Sequence, residues 1–122
     1  MNKQRRRTLY TAVSKLESLI KTIESKIDEI KNNEEFRTLI SDDISSVAED
    51  ICDVCDDEQF AYDNLPENFQ YSEKGETMYD NIDALENCNS DTEDAVYEIE
   101  KGNISEAIEL LKSAISYAND VQ

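Results

Sequence analysis

Histidine is absent from this sequence of 122 residues. The chain therefore lacks the usual general base, the Ser-His and Cys-His pairs of nucleophilic catalysis, and most zinc and di-iron ligand sets. Pairs of carboxylates are abundant, but no sequence signal of a cleft accompanies them, and a solvated face is the simpler interpretation. We expect a protein that is not an enzyme and that binds neither a metal nor a cofactor.

Glycine and proline are scarce, with two residues and one residue respectively. So little turn chemistry argues against a fold of many strands, and the abundance of Glu, Lys, Ile, Leu and Ala favours helix. Apolar residues make up 39% of the chain, which is low for a globular domain and predicts a thin core along narrow helical seams. The sequence predicts a single all-α domain over residues 1–122.

The three cysteines are too few for a metal site made by this chain alone. Cys52 and Cys55 have the spacing of zinc and thioredoxin-type pairs, but zinc needs four ligands and the flanking acids disfavour a thiolate. We interpret both as small, half-buried residues of a helix. Neither a secretory signal nor an apolar run of 18 residues is found, so we expect no membrane segment and a cytoplasmic protein with reduced thiols.

Basic residues are few and unevenly distributed. Residues 1–37 hold nine of the twelve bases and six acids, a net charge of +3, whereas residues 38–122 hold three bases and 23 acids, a net charge of −20. Nucleic acid and anionic membranes would repel such a chain, so neither is expected as its main partner. The expected partner is a basic protein surface.

The most acidic stretch extends from Asp42 to Asp63 and has nine carboxylates in 22 residues, with no Lys or Arg. As a helix it would be about 33 Å long, with about one negative charge per 3.7 Å, close to the ~3.4 Å of a nucleic-acid strand. This density predicts a surface that occupies a phosphate-binding site of another protein. The predicted partner-binding residues are Asp42, Asp43, Glu49, Asp50, Asp53, Asp56 and Asp57, and then Asp63, Asp80 and Asp83.

Apolar residues recur in alternating steps of three and four, which is typical of a coiled-coil seam. In the second segment the residues expected to face inward are Phe36, Leu39, Ile40, Ile44, Val47, Ile51 and Val54. In the third segment Asn89 falls at a seam position. We predict an antiparallel helical bundle of three long helices and a short C-terminal one. The predicted helices cover residues 8–31, 34–62, 73–101 and 104–119. A bundle with such narrow seams leaves an apolar edge open, which favours a homodimer.

Short polar residues predict where the helices begin and end. Residues 32–33 (Asn-Asn) are expected to end the first helix in the left-handed conformation. Ser72 is expected to cap the start of the third helix, and Gly102 to end it. Asn103 and Glu106 have the spacing of a capping box for the fourth helix.

Two segments allow more than one interpretation. Residues 2–7 contain four bases. Either this segment is a frayed helix start, or acids of this chain or of a second copy neutralise it, or it contacts nucleic acid. The aromatic residues Phe60, Tyr62, Phe69 and Tyr71 surround the proline turn. They either close the end of the bundle or form, in part, an exposed binding spot.

The turn segment, residues 63–76 (Asp-Asn-Leu-Pro-Glu-Asn-Phe-Gln-Tyr-Ser-Glu-Lys-Gly-Glu), and the basic start, residues 1–7, resemble small acidic helical proteins encoded by bacteriophages and prophages of Gram-positive bacteria. The resemblance includes residues 58–86 and covers about half of the chain, whereas residues 34–57 are an addition to the shared pattern. Most of these relatives have no assigned function. The resemblance implies a phage origin, which favours inhibition of a host nuclease or transcription protein.

Charge and resemblance together predict a phage-encoded inhibitor that mimics DNA and blocks a basic nucleic-acid-binding defence protein of the host. An RNA-guided nuclease such as Cas9 is the expected target, because its nucleic-acid channels are basic, and the chain would then be an anti-CRISPR protein. The alternative is a non-enzymatic coiled-coil structural or assembly module whose acidic faces only confer solubility. A regulator whose basic start touches nucleic acid is a third hypothesis.

Overall fold

A computed structural model describes all of residues 1–122, and every regular element in it is a helix. The helices are α1 (Lys3–Ser25), α2 (Ile27–Asn32), α3 (Glu34–Asp63), α4 (Glu67–Gln70), α5 (Glu73–Glu100) and α6 (Ile104–Asn119). Each of the four longest packs against two others, in the pairs α1–α3, α3–α5, α5–α6 and α6–α1. The predicted all-α bundle is confirmed. None of the helices is apolar over a length that could cross a membrane.

Contacts between residues far apart in sequence show that neighbouring helices run antiparallel. Near the start of α1, Arg5 donates a hydrogen bond to Glu58, near the end of α3, at 3.0 Å. Near the start of α3, Ser41 donates to Glu100, the last residue of α5, at 3.1 Å. The most acidic helix, α3, therefore lies between α1 and α5.

The apolar seams form the core within one chain. Buried seam residues are Leu9, Leu16, Ile20, Ile23 and Ile30 of α1 and α2; Ile44, Val47, Ile51 and Val54 of α3; Met78, Ile82, Leu85 and Ile99 of α5; and Ile104, Ile108, Leu111 and Ala118 of α6. Burial of each large apolar side chain contributes about 1.5–3 kcal/mol, so these seams account for most of the folding energy. The prediction that Leu39 faces inward is wrong: it is 61% exposed, and Ile40 takes the core position.

The first helix differs from the predicted range of 8–31 at both ends. The basic start is helical and not frayed, because Asn2 caps α1 and its side chain accepts the backbone N–H of Arg5 at 2.9 Å. The helix stops at Ser25, since Lys26 has a φ of −131°, and α2 carries the seam onward. Neither glycine nor proline marks this break, which is why sequence reasoning missed it.

The separation of α2 and α3 uses a different conformation from the one predicted. Asn33 is extended, with φ −129° and ψ 105°, so the left-handed prediction is wrong. Its side chain instead caps the start of α3 by accepting the N–H of Phe36 at 3.1 Å. The Arg37 side chain donates to the carbonyl groups of Ile30 at 3.1 Å and Lys31 at 2.9 Å, which satisfies the end of α2.

Between α5 and α6, the predicted glycine cap is confirmed and the predicted capping box is not. Gly102 has a φ of +81°, and its N–H donates to Ile99 while the N–H of Asn103 donates to Glu98, both at 2.9 Å. This is the Schellman arrangement. The Asn103 side chain makes no cap with Glu106, because it donates to the Glu98 carboxylate at 2.7 Å.

Candidate protein-binding surface

The acids predicted to bind a partner lie on the solvent side of the bundle. The exposed ones are Asp42, Asp43, Glu49, Asp53, Asp56, Asp57, Asp63, Asp80 and Asp83, and the tenth, Asp50, is half-buried. Asp50 is the one that pairs with a base, at 3.6 Å from the Lys15 ammonium group. Both side chains of this pair are solvent-accessible, so its contribution to stability is at most about 1 kcal/mol.

The acids of α3 fall into two rows with a spacing of seven residues, a rise of about 10.5 Å per step. The α5-side row contains Asp42, Glu49, Asp56 and Asp63, and the α1-side row contains Asp43, Asp50 and Asp57. Glu49 lines a groove against α5, whereas Asp43 lines a groove against α1. The structure therefore does not gather all predicted residues into one site.

Helix α5 contributes a third acidic row that faces the α5-side row. It consists of Glu86, Glu93 and Glu100 and has the same seven-residue spacing. The antiparallel register brings Glu100 close to Asp42, as the bond from Ser41 to Glu100 shows. Further along, Glu49 and Glu93 line one groove of about 320 Å³.

We call this surface the acidic groove, and define it by Asp42, Glu49, Asp53, Asp56, Glu86, Glu93 and Glu100. No ion pair involves any of these seven carboxylates. Sequence reasoning missed the α5 row, although a signal was present: each of its members directly follows a seam residue, and such flanking positions of a heptad border the neighbouring helix.

The pKa of Cys52, on α3, reflects the negative potential of the acidic groove. Burial raises the pKa of the Cys52 thiol, and the nearby charges of Asp56, Asp53 and Glu93 raise it further. These charges come from both helices, so the carboxylates of α3 and α5 act on the same point in space. Cys52 is half-buried, as predicted, whereas the same prediction is wrong for Cys55, which is buried.

The two buried thiols are strongly disfavoured as thiolates. Burial, followed by the charge of Glu86, raises the pKa of Cys55 to about 11. Burial, followed by the charge of Asp91, raises the pKa of Cys88 to about 12. Cys88 also occupies the seam position that was predicted for Asn89, which is only half-buried. Nowhere do three or more Cys, Asp or Glu side chains come together in a way that could hold a metal ion.

Glu58 is the one member of the acidic stretch that leaves the surface altogether. It is fully buried and accepts hydrogen bonds from Arg5 at 3.0 Å and from Asn81 at 3.2 Å. The N-terminal ammonium group lies 3.9 Å from Oε2 of Glu58, the oxygen that also accepts the bond from Asn81. The basic start is thus partly neutralised by an acid of its own chain, which was one of the three interpretations.

These positions change the charge density calculated from sequence. With Glu58 buried and Asp50 paired, α3 presents seven unpaired acids between Asp42 and Asp63. That is about one charge per 4.7 Å of axis, a lower density than that of a nucleic-acid strand. With the three facing acids of α5, the two helices together carry about one charge per 3.3 Å, but this count includes Asp43 and Asp57 on the α1 side. The seven carboxylates of α3 and α5 that face each other therefore have a lower charge density than a nucleic-acid strand, at about one charge per 4.7 Å.

The aromatic residues around the proline turn are mostly exposed. Phe60, Phe69 and Tyr71 are 71%, 51% and 79% exposed, and Tyr62 is half-buried. Closure of the bundle end is therefore the wrong interpretation for three of the four. Tyr79 of α5, which is also exposed, lies beside Tyr62 with ring centroids 6.2 Å apart.

No protein-family model matches the chain, and the comparisons with curated proteins and with solved structures found no similar protein either. Functional inference therefore depends on the geometry and the charges of the bundle. The resemblance to phage proteins stays a prediction.

Proposed function

We propose that the chain is an acidic inhibitor that mimics the charge of nucleic acid and occupies the nucleic-acid-binding surface of a basic protein of the host. The acidic groove is the observation that carries this proposal. Its two facing rows present carboxylates at regular steps of about 10.5 Å, and no base of the chain neutralises them. If the acids only conferred solubility, a second acidic row on α5, in register with the row on α3, would not be required.

The mechanism is competitive occupation of the partner's surface. Long-range attraction between the groove and a basic channel accelerates encounter, and complementary charges fix the orientation of the complex. Since the attraction is screened over about 8 Å at physiological salt and about 3 Å at 1 M, binding should weaken steeply as salt is added.

The first experiment is capture from host lysate on the immobilised protein, followed by elution with a salt gradient. The test variant reverses three charges of the groove: Glu49→Lys, Asp53→Lys and Asp56→Lys. A matched control reverses three exposed acids elsewhere: Glu17→Lys, Glu106→Lys and Glu109→Lys. Both variants change the net charge by the same amount, so they differ only in where the change falls.

The proposal expects the unchanged protein and the control to retain one basic nucleic-acid-binding protein, and the groove variant to lose it. The captured protein should lose its own nucleic-acid binding when the acidic chain is added. Equal retention by both variants would contradict the charge-mimic mechanism. The groove variant should fold normally, because reversal of three α3 charges removes like-charge repulsion across the groove.

An RNA-guided nuclease such as Cas9 is the proposed target class, since both its duplex-reading surface and its heteroduplex channel are strongly basic. The resemblance to phage proteins supports this choice, because phages face such nucleases in their hosts. The test is DNA cleavage by the purified nuclease in the presence of each variant. Unimpaired cleavage at saturating inhibitor would remove this target class and leave the general proposal standing.

The alternative, a coiled-coil assembly module, depended on seams that could bind a second copy. Most seam residues of the four long helices are buried inside one chain, and Val13, Ile27, Val96 and Ile115 pack half-buried against this core, so the seams leave little apolar surface for a partner. The predicted homodimer stays a prediction. Sedimentation equilibrium checks it, and an apolar dimer would persist in 1 M salt.

A further inference from the structure

A small cavity lies where the proline turn meets the start of α5. It has a volume of about 330 Å³ and is lined by Tyr62, Gln70, Tyr71, Glu76, Tyr79 and Asp80. Three tyrosines and two acidic residues thus line one space. The volume is at the lower limit for small-molecule sites and is suited to a single side chain.

Hydrogen bonds and close packing hold the turn that contains this cavity against the ends of α3 and α5. The Gln70 side chain donates to the carbonyl groups of Leu65 at 3.3 Å and Tyr62 at 3.4 Å, which fixes α4 against the end of α3. As predicted, Ser72 caps α5 by accepting the N–H of Gly75 at 3.3 Å. A Cβ atom at Gly75 would lie 2.5 Å from the carbonyl oxygen of Phe69, so helix and turn are in direct contact there.

The lining selects a cation. The face of a tyrosine ring attracts a positive charge, and Glu76 and Asp80 form no ion pair with any base of the chain. Elsewhere the protein supplies such a cation itself, as where the Lys101 ammonium group lies 4.0 Å from the ring centre of Tyr97. No side chain of this protein plays that part in the cavity.

Arginine fits this lining better than lysine does. Its planar guanidinium group stacks on aromatic rings and donates to a carboxylate through two parallel hydrogen bonds, whereas an ammonium group is a compact and strongly hydrated point charge. An uncharged apolar side chain would bury Glu76 and Asp80 without any compensation.

We propose that this cavity receives an arginine side chain of the partner protein. The inference rests on the proposed function in one respect: it takes the partner to be a basic protein. The acidic groove then supplies attraction over a distance, and the cavity supplies one short-range contact that fixes the register of the complex. Tyrosine and arginine are enriched among the few residues that contribute most of the binding energy of many interfaces.

The test uses a capped Gly-Arg-Gly peptide and its Gly-Lys-Gly counterpart as probes, with the NMR signals of the tyrosine rings as the readout. The arginine peptide should shift the ring signals of Tyr71 and Tyr79 in a saturable way and bind about threefold more tightly than the lysine peptide. Tyr71→Ala and Asp80→Asn should each weaken binding about threefold or more.

Two exposed residues outside the cavity provide matched controls: Tyr10→Ala and Asp94→Asn should leave the peptide affinity unchanged. Unshifted ring signals, equal affinity for the two peptides, or an equal effect of Asp80→Asn and Asp94→Asn would each overturn the inference. The peptide assay needs no host protein, so its failure is distinguishable from failure of the proposed function. Arginine binding without any captured partner would support the cavity and contradict the inhibitor.

Discussion

Replacement of Glu58 should be the most damaging single substitution in this bundle. Glu58→Ala removes a fully buried carboxylate and leaves Arg5, whose side chain is only 16% exposed, without its partner. It also removes the acceptor for one N–H of the Asn81 side-chain amide. Removal of one partner of a buried ion pair costs about 3–5 kcal/mol, because an uncompensated charge remains.

This cost is large compared with the whole stability of the chain. At about 0.05–0.15 kcal/mol per residue, a protein of this length has a total of roughly 6–18 kcal/mol. The assay is urea unfolding followed by circular dichroism at 222 nm, where the midpoint should fall by about 2 M. Asp57→Ala is the control, since this exposed neighbour makes no ion pair, and its effect should stay within about 0.5 kcal/mol.

A double-mutant cycle shows whether the cost comes from the unpaired charge. Arg5→Leu combined with Glu58→Leu should be more stable than Glu58→Leu alone, because neither charge is then left buried without its partner. The reasoning is refuted if Glu58→Ala costs less than about 1 kcal/mol, or if the two leucine substitutions are simply additive.

Four further substitutions probe separate features. Gly75→Ala should destabilise the protein by more than ~2 kcal/mol, since its Cβ would collide with backbone carbonyl groups, whereas Gly102→Ala should cost ~1 kcal/mol for its left-handed conformation alone; thermal unfolding compares the two. Cys88 has a folded-state pKa raised above its unfolded value of 9.0, so its stabilisation is complete below pH 9 and is lost as the pH rises towards about 12. Between pH 8 and pH 10 the wild type should lose ~1.4 kcal/mol more unfolding free energy than Cys88→Ala, and equal losses would contradict the raised pKa. Lys15→Ala should change stability by less than ~1 kcal/mol in urea unfolding, and a larger effect would mean that its pair with Asp50 is not solvent-screened.

The fold was largely predictable because helix formation and seam burial obey local rules. The three–four spacing placed the core residues of every long helix, and Ser72 and Gly102 mark helix ends through backbone requirements that act within a few residues. Three features lack a distinctive local sequence signal and were missed. They are the break at Lys26, the use of Asn103 to bind Glu98, and the exposure of Leu39.

The candidate site was only partly predictable. Sequence reasoning found the acids of α3 but treated them as one surface, because the positions of neighbouring helices decide which side each acid faces. It counted Glu58 with the exposed acids, since nothing local distinguishes a buried glutamate whose partner, Arg5, is 53 residues away. The α5 row became visible only when the antiparallel register was known.

The facing rows of the acidic groove also lower the stability of the free protein. Like charges across the groove repel each other, and a net charge of −17 opposes any compact state. Added salt screens this self-repulsion, so the melting temperature of the free chain should rise under the same conditions that weaken its complex. The free protein should therefore be most stable at the salt concentrations at which it binds its partner most weakly. Dissociation of the complex by salt then reflects a weakened interface and not unfolding of the protein.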